Sequence, residues 1–577
     1  MNHNQKGEAH LESLVQTLGP SKVSTSRVDR LSCARDQWPK GLMELRDGCP
    51  APEPPAAVVW PETVDDVVAL MGWARESGVG LVPYGGGTGL SGGAMPRRGD
   101  VVVDMKRFSG VEWIREDDNL VRVKVGTVGV RLEAALRREG MTLGHLPSSI
   151  TSSTVGGWLA VGSAGQASSR YGKIEDMVVS VEVVLPSGLQ VETNPWPASG
   201  VGPHWTRFFV GSEGALGILT RATFKVRRVA QTEHWRGYAF PSVAAGCEAM
   251  RRVMQRGLRP AVLRLYDELD SLVIRTLSGT DSPDTLGDLA AASRRKEAGR
   301  LPKHWSPRRA WAELGQTSER MRSWMDKKLL KLATGRPGFF NRFSEKVVGR
   351  VWGKGCLLVL GVEGNTLLAD AELERCHREL ERAGAVDLGE EPGLSWRDNR
   401  YSVPFKQSDV FTDGAFVETV EVAATWDKVM EIYEAARRAL APHAFIMAHF
   451  GHAYPEGCAM SFTVVGSADD CASSRSLYEV LMRDLLSSVT RHGGSISHHH
   501  GIGRSRTQFL LEELGDVHPL WNVVKETLDP MGIMNPGKLL RTSGPDVSSF
   551  HSGYGSSGSV GGEPLEPSSP EEEGGET

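Results

Sequence analysis

Pro83-Tyr84-Gly85-Gly86-Gly87-Thr88-Gly89-Leu90-Ser91-Gly92-Gly93 follows a short apolar run and decides how the rest of the chain is read. Consecutive glycines behind a strand let backbone N–H groups close around anionic oxygens, because no Cβ blocks the approach. The spacing is neither the G-x-G-x-x-G of a dinucleotide fold nor a Walker loop, which needs Gly-Lys-Ser/Thr. Taken alone, the same stretch also suits a plain turn.

Working outward, Val64, Val67, Val68, Met71 and Ala74 recur at helical spacing, predicting an amphipathic helix over 63–77 that stops at Gly78. Strands are expected at 101–105 (VVVDM), 121–126 (VRVKVG) and 181–188 (VEVVLPSG), with a short helix at 131–139 stopped by Gly140. Three more segments share the character of the first. Pro147 through Gly165 (PSSITSSTVGGWLAVGSAG) is rich in small hydroxyl residues and glycine. Gly211 through Thr220 (GSEGALGILT) is a glycine-punctuated approach to a strand, and Asp529 through Leu539 carries Asn535-Pro536-Gly537-Lys538.

In this order and at this spacing, the four segments resemble the FAD-binding domain of the vanillyl-alcohol-oxidase and p-cresol-methylhydroxylase (PCMH-type) superfamily, over about residues 54–230 plus 486–540. The resemblance implies an α+β fold, with a two-lobed FAD-binding domain at 54–230 and an α+β cap at 231–485 that covers the flavin and binds substrate. A segment at 486–542 would return to the FAD domain, leaving an N-terminal extension at 1–53. FAD is the implied cofactor. Pro83, Tyr84, Gly85, Gly86, Gly87, Thr88 and Gly89 would surround its pyrophosphate. Ser148, Ser149, Thr151, Ser153, Thr154, Gly157, Ser163, Glu213, Gly214, Leu216, Gly217 and Ile218 would line the remainder. His145, just before the second loop, reads either as a covalent attachment point for flavin or as a buried structural histidine.

Bulk properties narrow the class. A chain of 577 residues exceeds a single core and suggests two or three domains. A net charge of −5 gives no reason to expect nucleic acid. Seven scattered cysteines, odd in number and without a CxxC pair, argue against a zinc site and against a disulfide framework, so a reducing, cytoplasmic setting is expected. The N-terminus carries no signal-peptide pattern, and no run of 18 apolar residues occurs. The proline-rich CPAPEPPAA at 49–57 reads as a linker. The stretch 294–354, rich in Lys and Arg with Trp305, Trp311 and Trp324, reads as a solvated helical face or as a peripheral contact with anionic lipid. Helices are expected at 427–440 and 471–491 with a strand at 460–466, and residues 543–577 read as a disordered tail. Oligomeric state is not written in the chain, and a homodimer stays open.

The second decisive stretch is Gly493-Gly494-Ser495-Ile496-Ser497-His498-His499-His500-Gly501-Ile502-Gly503-Arg504. Histidine suits proton transfer near neutral pH. Adjacent histidines cannot all face one ion, and no carboxylate is spaced nearby, so no metal is expected. The segment resembles the corresponding motif of the alkyl-dihydroxyacetonephosphate synthase family, ether-lipid flavoenzymes, and the likeness extends loosely over residues 25–542. It implies a lipid-like small-molecule substrate, an acyl-dihydroxyacetone phosphate, whose acyl group is exchanged for a fatty alcohol through a flavin N5 adduct. His499 and His500, with His498 beside them, would move the proton. Arg264 would hold charge, and Tyr454 and His452 sit in a turn similar to one in that family. Lys406 and Gln407 fall in the family's phosphate-binding segment, but Gln407 replaces its arginine and Ser461 replaces a tyrosine of the proton transfer. The alternative is an FAD-dependent oxidoreductase acting on a D-2-hydroxy acid, of D-lactate or glycolate dehydrogenase type. There His452 matches one metal-binding histidine, Met460 or Ser461 stands at the second position, and His499 replaces the glutamate. A protein that keeps FAD only structurally is the third reading.

Overall fold

The computed structural model describes residues 3–49, 52–197, 199–277, 355–401 and 415–539, together with positions 337, 338, 341 and 411. The expected tail at 543–577, the phosphate-segment candidates Lys406 and Gln407, and nearly all of the basic stretch 294–354 lie outside the described residues.

A small four-stranded sheet opens the fold. Ala57–Val59, Val101–Asp104 and Leu81–Tyr84 run parallel, and Val23–Ser24 pairs antiparallel with Ala57–Val59. Every residue of Val101–Asp104 is buried, as expected for a parallel strand covered on both faces. The crossover is the helix Val64–Ser77, started by a Thr63/Asp66 capping box, ended by Gly78 and burying Val67, Leu70, Met71 and Ala74. The expected helix at 63–77 therefore forms, and Leu81–Tyr84 runs from it straight into the glycines.

A second sheet of five antiparallel strands follows, in the order Val111–Arg115, Leu120–Lys124, Ile218–Lys225, Val178–Val184, Gln190–Glu192. The third has seven antiparallel strands, in the order Val386–Gly389, Thr232–Phe240, Cys356–Gly364, Val262–Tyr266, Phe445–Gly451, Gly457–Ser467, Ala415–Thr425. The helices Val243–Gln255, Thr366–Arg382, Trp426–Leu440 and Cys471–Arg491 supply Met250, Leu380, Ile432 and Leu485 to one continuous core with Leu265, Ile446, Phe450, Phe462 and Val420 of this sheet. The architecture is α+β, as expected.

Strand alternation makes the large sheet two-faced. Leu263, Leu265, Ile446, Ala448, Phe450, Met460, Phe462, Val420 and Val422 belong to the helix-packed core. Their neighbours Arg264, His449, Ser461 and Glu421 therefore point to the opposite face. Register sets them side by side: His449 pairs with Tyr266 on one side and Ser461 on the other, and Ser461 pairs with Glu421. A polar row is thus laid across an apolar sheet.

The last segment stitches the pieces together. Ser495 bridges Ala423 at the sheet edge, and Met534 bridges Leu81 of the first sheet, with the Asn535 N–H donating to the Leu81 carbonyl. Buried Lys525 donates to Asp529 at 2.6 Å and to the carbonyls of Ala215 and Met534.

Two expectations are corrected here. Cys49 and Cys471 form a disulfide across 422 residues. The odd count concealed one pair among seven cysteines, and with it goes the cysteine argument for a reducing compartment. At the two ends of the expected linker, Cys49 is fastened to the N-terminus of the Cys471–Arg491 helix and Ala57 is already part of a strand, while residues 50 and 51 lie outside the described residues. Cys33, Cys247, Cys356, Cys376 and Cys458 are free and buried. Among the described residues no helix is long and apolar enough to cross a membrane.

Candidate active site

The glycine loop is pressed against the hydroxyl-rich loop. A Cβ on Gly86 would lie 2.1 Å from the Ser152 carbonyl oxygen, and one on Gly85 would lie 2.2 Å from Thr154 Oγ1. Only bare backbone fits there. Several hydroxyls of the second loop are already engaged. Thr154 caps the helix Val155–Val161, Ser153 Oγ accepts the Trp158 indole N–H at 2.8 Å, and Ser148 Oγ accepts from Gln166 at 3.1 Å. Ser163 Oγ lies 3.2 Å from His145 Nε2. His145 is fully buried, and burial followed by the nearby charge of His499 lowers its pKa to about 3. Its ring is therefore neutral near neutral pH, and its Nδ1 has no hydrogen-bond partner among the described residues.

The third loop turns inward. Glu213 adopts φ 47 and accepts the backbone N–H groups of Ile502 and Gly503, while its own carbonyl accepts from Asn535 Nδ2 at 2.6 Å. Asn535 Nδ2 also donates to the Gly93 carbonyl at 3.1 Å. Gly214 packs on Pro83, and Leu216 and Ile218 are buried in the cores beneath. Ser91 Oγ donates to the His500 carbonyl at 3.0 Å, and the N–H groups of Arg504 and Ser505 reach the Ser91 carbonyl. The four glycine-bearing segments and the histidine loop therefore meet at one place.

The histidines sit over that junction. Tyr454 Oη lies 2.9 Å from His498 Nε2, and Ser168 Oγ lies 2.6 Å from His452 Nδ1. The His452 ring meets His499 edge-on with centroids 4.9 Å apart and lies tilted 5.3 Å from His498. Lys173 Nζ donates to the His498 carbonyl at 2.6 Å. Arg264 Nη2 lies 2.8 Å from His449 Nε2, and His449 Nδ1 lies 3.2 Å from Asp270. Burial lowers the pKa of His452, His498 and His449, reinforced at His452 by the neighbouring His499 and His498 rings and at His449 by Arg264. Burial, then His499, takes His500 to about 3.

Glu421 is the residue that sequence reasoning missed. Its Oε2 accepts the backbone N–H groups of His498 at 3.3 Å and His499 at 3.0 Å. Its Oε1 lies 3.0 Å from His498 Nδ1 and 2.5 Å from His499 Nδ1. Burial alone would raise this carboxyl, but the charge on His499 and contacts with both rings hold it well below the usual carboxylate range. The expectation that no carboxylate stands near the histidines is overturned. It arrives from a strand 77 residues upstream rather than from the loop itself. Glu421, His499 and His500 also place one ligand atom each within 4.8 Å of one another, within reach of a single cation. His498, His499, His500, His452, Tyr454 and, through His449, Arg264 are thus brought together.

The residues present fit a large anionic cofactor beneath the histidines. The loops offer a side-chain-free cradle, and among the described residues buried His145 Nδ1, Gln166 Oε1, Arg400 Nε and His500 Nδ1 have no hydrogen-bond partner. With that geometry in hand the class is defined, and the chain belongs to the FAD-linked oxidases. The FAD binding domain family matches residues 55–194, and the FAD linked oxidases C-terminal domain family matches 232–303 and 319–539. FAD is its cofactor and it is an enzyme. The chain is similar to the alkyldihydroxyacetonephosphate synthase of Dictyostelium discoideum, 28% identical over 91% of this chain and 79% of that protein. A solved alkyldihydroxyacetonephosphate synthase superposes with a TM-score of 0.67 at 25% identity, covering 92% of this chain and 85% of that one. Glycolate oxidase subunit GlcD of Bacillus subtilis is 30% identical over 46% of this chain and 54% of its own.

Proposed function

We propose that the protein is an alkyl-dihydroxyacetonephosphate synthase-like flavoenzyme, exchanging the acyl group of an acyl-dihydroxyacetone phosphate for a fatty alcohol. The observation that carries this reading is the three-histidine loop, seated on the cofactor loops and faced by Tyr454 and His452. When bound, FAD supplies an electron-deficient ring system beside which a carbon next to a ketone can be activated. The protein's own part is proton management and positioning.

In this reading, Pro83, Tyr84 and the backbone of Gly85–Gly89 hold the pyrophosphate. The 148–163 loop and Gly214–Ile218 frame the rest of the cofactor, and Glu213 braces the histidine loop. His499, with 18% of its side chain exposed, takes the proton, while His498, at 7%, relays to Tyr454. Arg264 faces developing negative charge with His449 as its backing partner. Lys406 and Gln407 are assigned to the substrate phosphate, and the basic stretch 294–354 to contact with an anionic membrane surface. That surface contact is tested by cosedimentation with anionic vesicles before and after lysine replacement.

The second reading, oxidation of a D-2-hydroxy acid, is favoured by the likeness to the glycolate oxidase subunit and by the spacing of Glu421, His499 and His500. Anaerobic flavin spectra of the holoenzyme separate the two. A band that shifts with acyl-dihydroxyacetone phosphate, with fatty acid released and no net reduction, supports exchange. Bleaching by a D-2-hydroxy acid supports the second reading and ends the first.

A further inference from the structure

Asp267 and Asp270 are both buried and stand one helical turn apart, yet their partners differ in kind. Asp267 accepts from Arg437 Nη1 at 2.9 Å, from the Ala448 N–H at 2.9 Å and from the Asp270 N–H at 2.8 Å. That set ties the start of the helix Glu268–Leu277 to the helix Trp426–Leu440 and to the strand Phe445–Gly451. It is a structural knot. Asp270 has no Lys or Arg partner among the described residues, and its Oδ2 lies instead 3.2 Å from His449 Nδ1. Across the same ring, His449 Nε2 lies 2.8 Å from Arg264 Nη2.

A guanidinium only donates hydrogen bonds, so the Nε2 that Arg264 meets is the ring's lone pair. The one proton of a neutral imidazole is then left on Nδ1, facing the Asp270 carboxylate. Carboxylate, ring and guanidinium thus form a line in which every donor meets an acceptor. Among the described residues no carboxylate stands within ion-pair distance of Arg264 itself. The Tyr266 and Trp396 rings flank its guanidinium at 5.8 and 5.9 Å, and the Trp396 indole N–H donates to Tyr266 Oη at 2.6 Å. A direct aspartate–arginine pair would occupy two guanidinium N–H groups and cancel the charge. An interposed neutral ring fixes the orientation and leaves the charge open.

We propose that Asp270 is a positioning residue for Arg264: through the His449 ring it holds the guanidinium in place, its charge unpaired, for an anionic oxygen of the substrate. The proposal rests on the reading of Arg264 as the group that meets negative charge. Asp270 acts through His449 and touches neither substrate nor cofactor. No proton changes hands along this line. The ring is a fixed spacer, and Arg264 keeps its remaining N–H groups for the oxyanion.

The ring can be read directly. Holoenzyme 15N-labelled at histidine, with His449→Asn assigning the signals, is expected to show the His449 proton on Nδ1 and a lone pair on Nε2. Asp270→Leu removes the acceptor and should abolish that single pattern, whereas Asp270→Asn, whose carbonyl oxygen still accepts, should keep it. With acyl-dihydroxyacetone phosphate, KM should rise about tenfold in Asp270→Leu while kcat falls less, and Asp270→Asn should recover most of the loss. Added to Arg264→Gln, Asp270→Leu should raise KM no further, because the group it positions is already gone. An aspartate that only stabilised the fold would lower the melting temperature and multiply with Arg264→Gln. A proton on Nε2 of wild-type His449, an undisturbed pattern in Asp270→Leu, or fully multiplicative effects overturns the proposal. If Asp270→Leu does not fold, the wild-type nitrogen pattern decides. The nitrogen shifts need no substrate, so absence of turnover counts against the exchange reading and leaves this result standing.

Discussion

Glu213 reaches 290 residues along the chain to accept the backbone N–H of Gly503 at 2.9 Å, with its second oxygen on Ile502. A residue expected to line the cofactor thus spends its carboxylate on the loop that carries the histidines. The cofactor floor and the reactive roof are joined through one buried side chain. Removing it leaves one buried and one part-buried donor unsatisfied. Glu213→Ala should cost about 1.5–3 kcal/mol and lower flavin retention, whereas Glu213→Gln, which still accepts one bond, should lose less. Denaturant midpoints and the flavin-to-protein absorbance ratio check both.

Gly503 tests the same junction from the other side. At φ 52 its Cβ would sit 2.2 Å from the Ser91 carbonyl oxygen and 2.8 Å from the Gly93 nitrogen. Gly503→Ala should therefore yield a folded protein that loses FAD on gel filtration. Gly41→Ala, where a Cβ meets nothing within 4 Å, should keep it.

Acid sensitivity follows from two buried rings. His145 and His500 titrate at about 3 in the folded protein, against roughly 6.5 when unfolded. Above pH ~6.5 neither state holds the extra protons. Below it the unfolded chain takes up two that the folded chain refuses, so stability falls with decreasing pH through the window from about 6.5 to 3. Glu421, depressed in the fold, adds its own loss below the usual carboxylate range. Urea midpoints stepped down through that window should show the decline. His145→Asn should reduce the slope by about one proton.

The Cys49–Cys471 bridge closes a loop of 422 residues and ties the N-terminal extension to the longest helix covering the large sheet. Cys49→Ser and Cys471→Ser should each lower stability by about 2–4 kcal/mol, and the double variant by no more than either. Reductant should destabilise the parent and leave all three variants unchanged in guanidinium melts.

The glycine loops and the Val64–Ser77, Trp426–Leu440 and Cys471–Arg491 helices were legible because periodicity and caps are local properties. The strand Ala415–Thr425 was not. It is buried on both faces, with Val420 and Val422 in the helix-side core and Ala415 and Val417 in another, so AFVETVEVAAT shows no clean alternation. Its two glutamates were the usable signal. A carboxylate inside so apolar a run needs a partner, and Glu418 finds the Tyr478 hydroxyl while Glu421 finds the histidines. Which partner each would meet depends on a pairing between Ala423 and Ser495 that no local pattern announces. The disulfide was hidden for the same reason.

The closure of the first sheet by the last segment also orders events at the ribosome. Asn535 fastens Gly93 from 442 residues away, and Met534 supplies the bridge beside Leu81. At roughly 5–20 residues per second, the nascent glycine loop waits tens of seconds for the piece that completes its cradle. Flavin loading therefore waits until residues 529–539 have emerged, and a chain truncated before Asp529 would be colourless rather than merely slow.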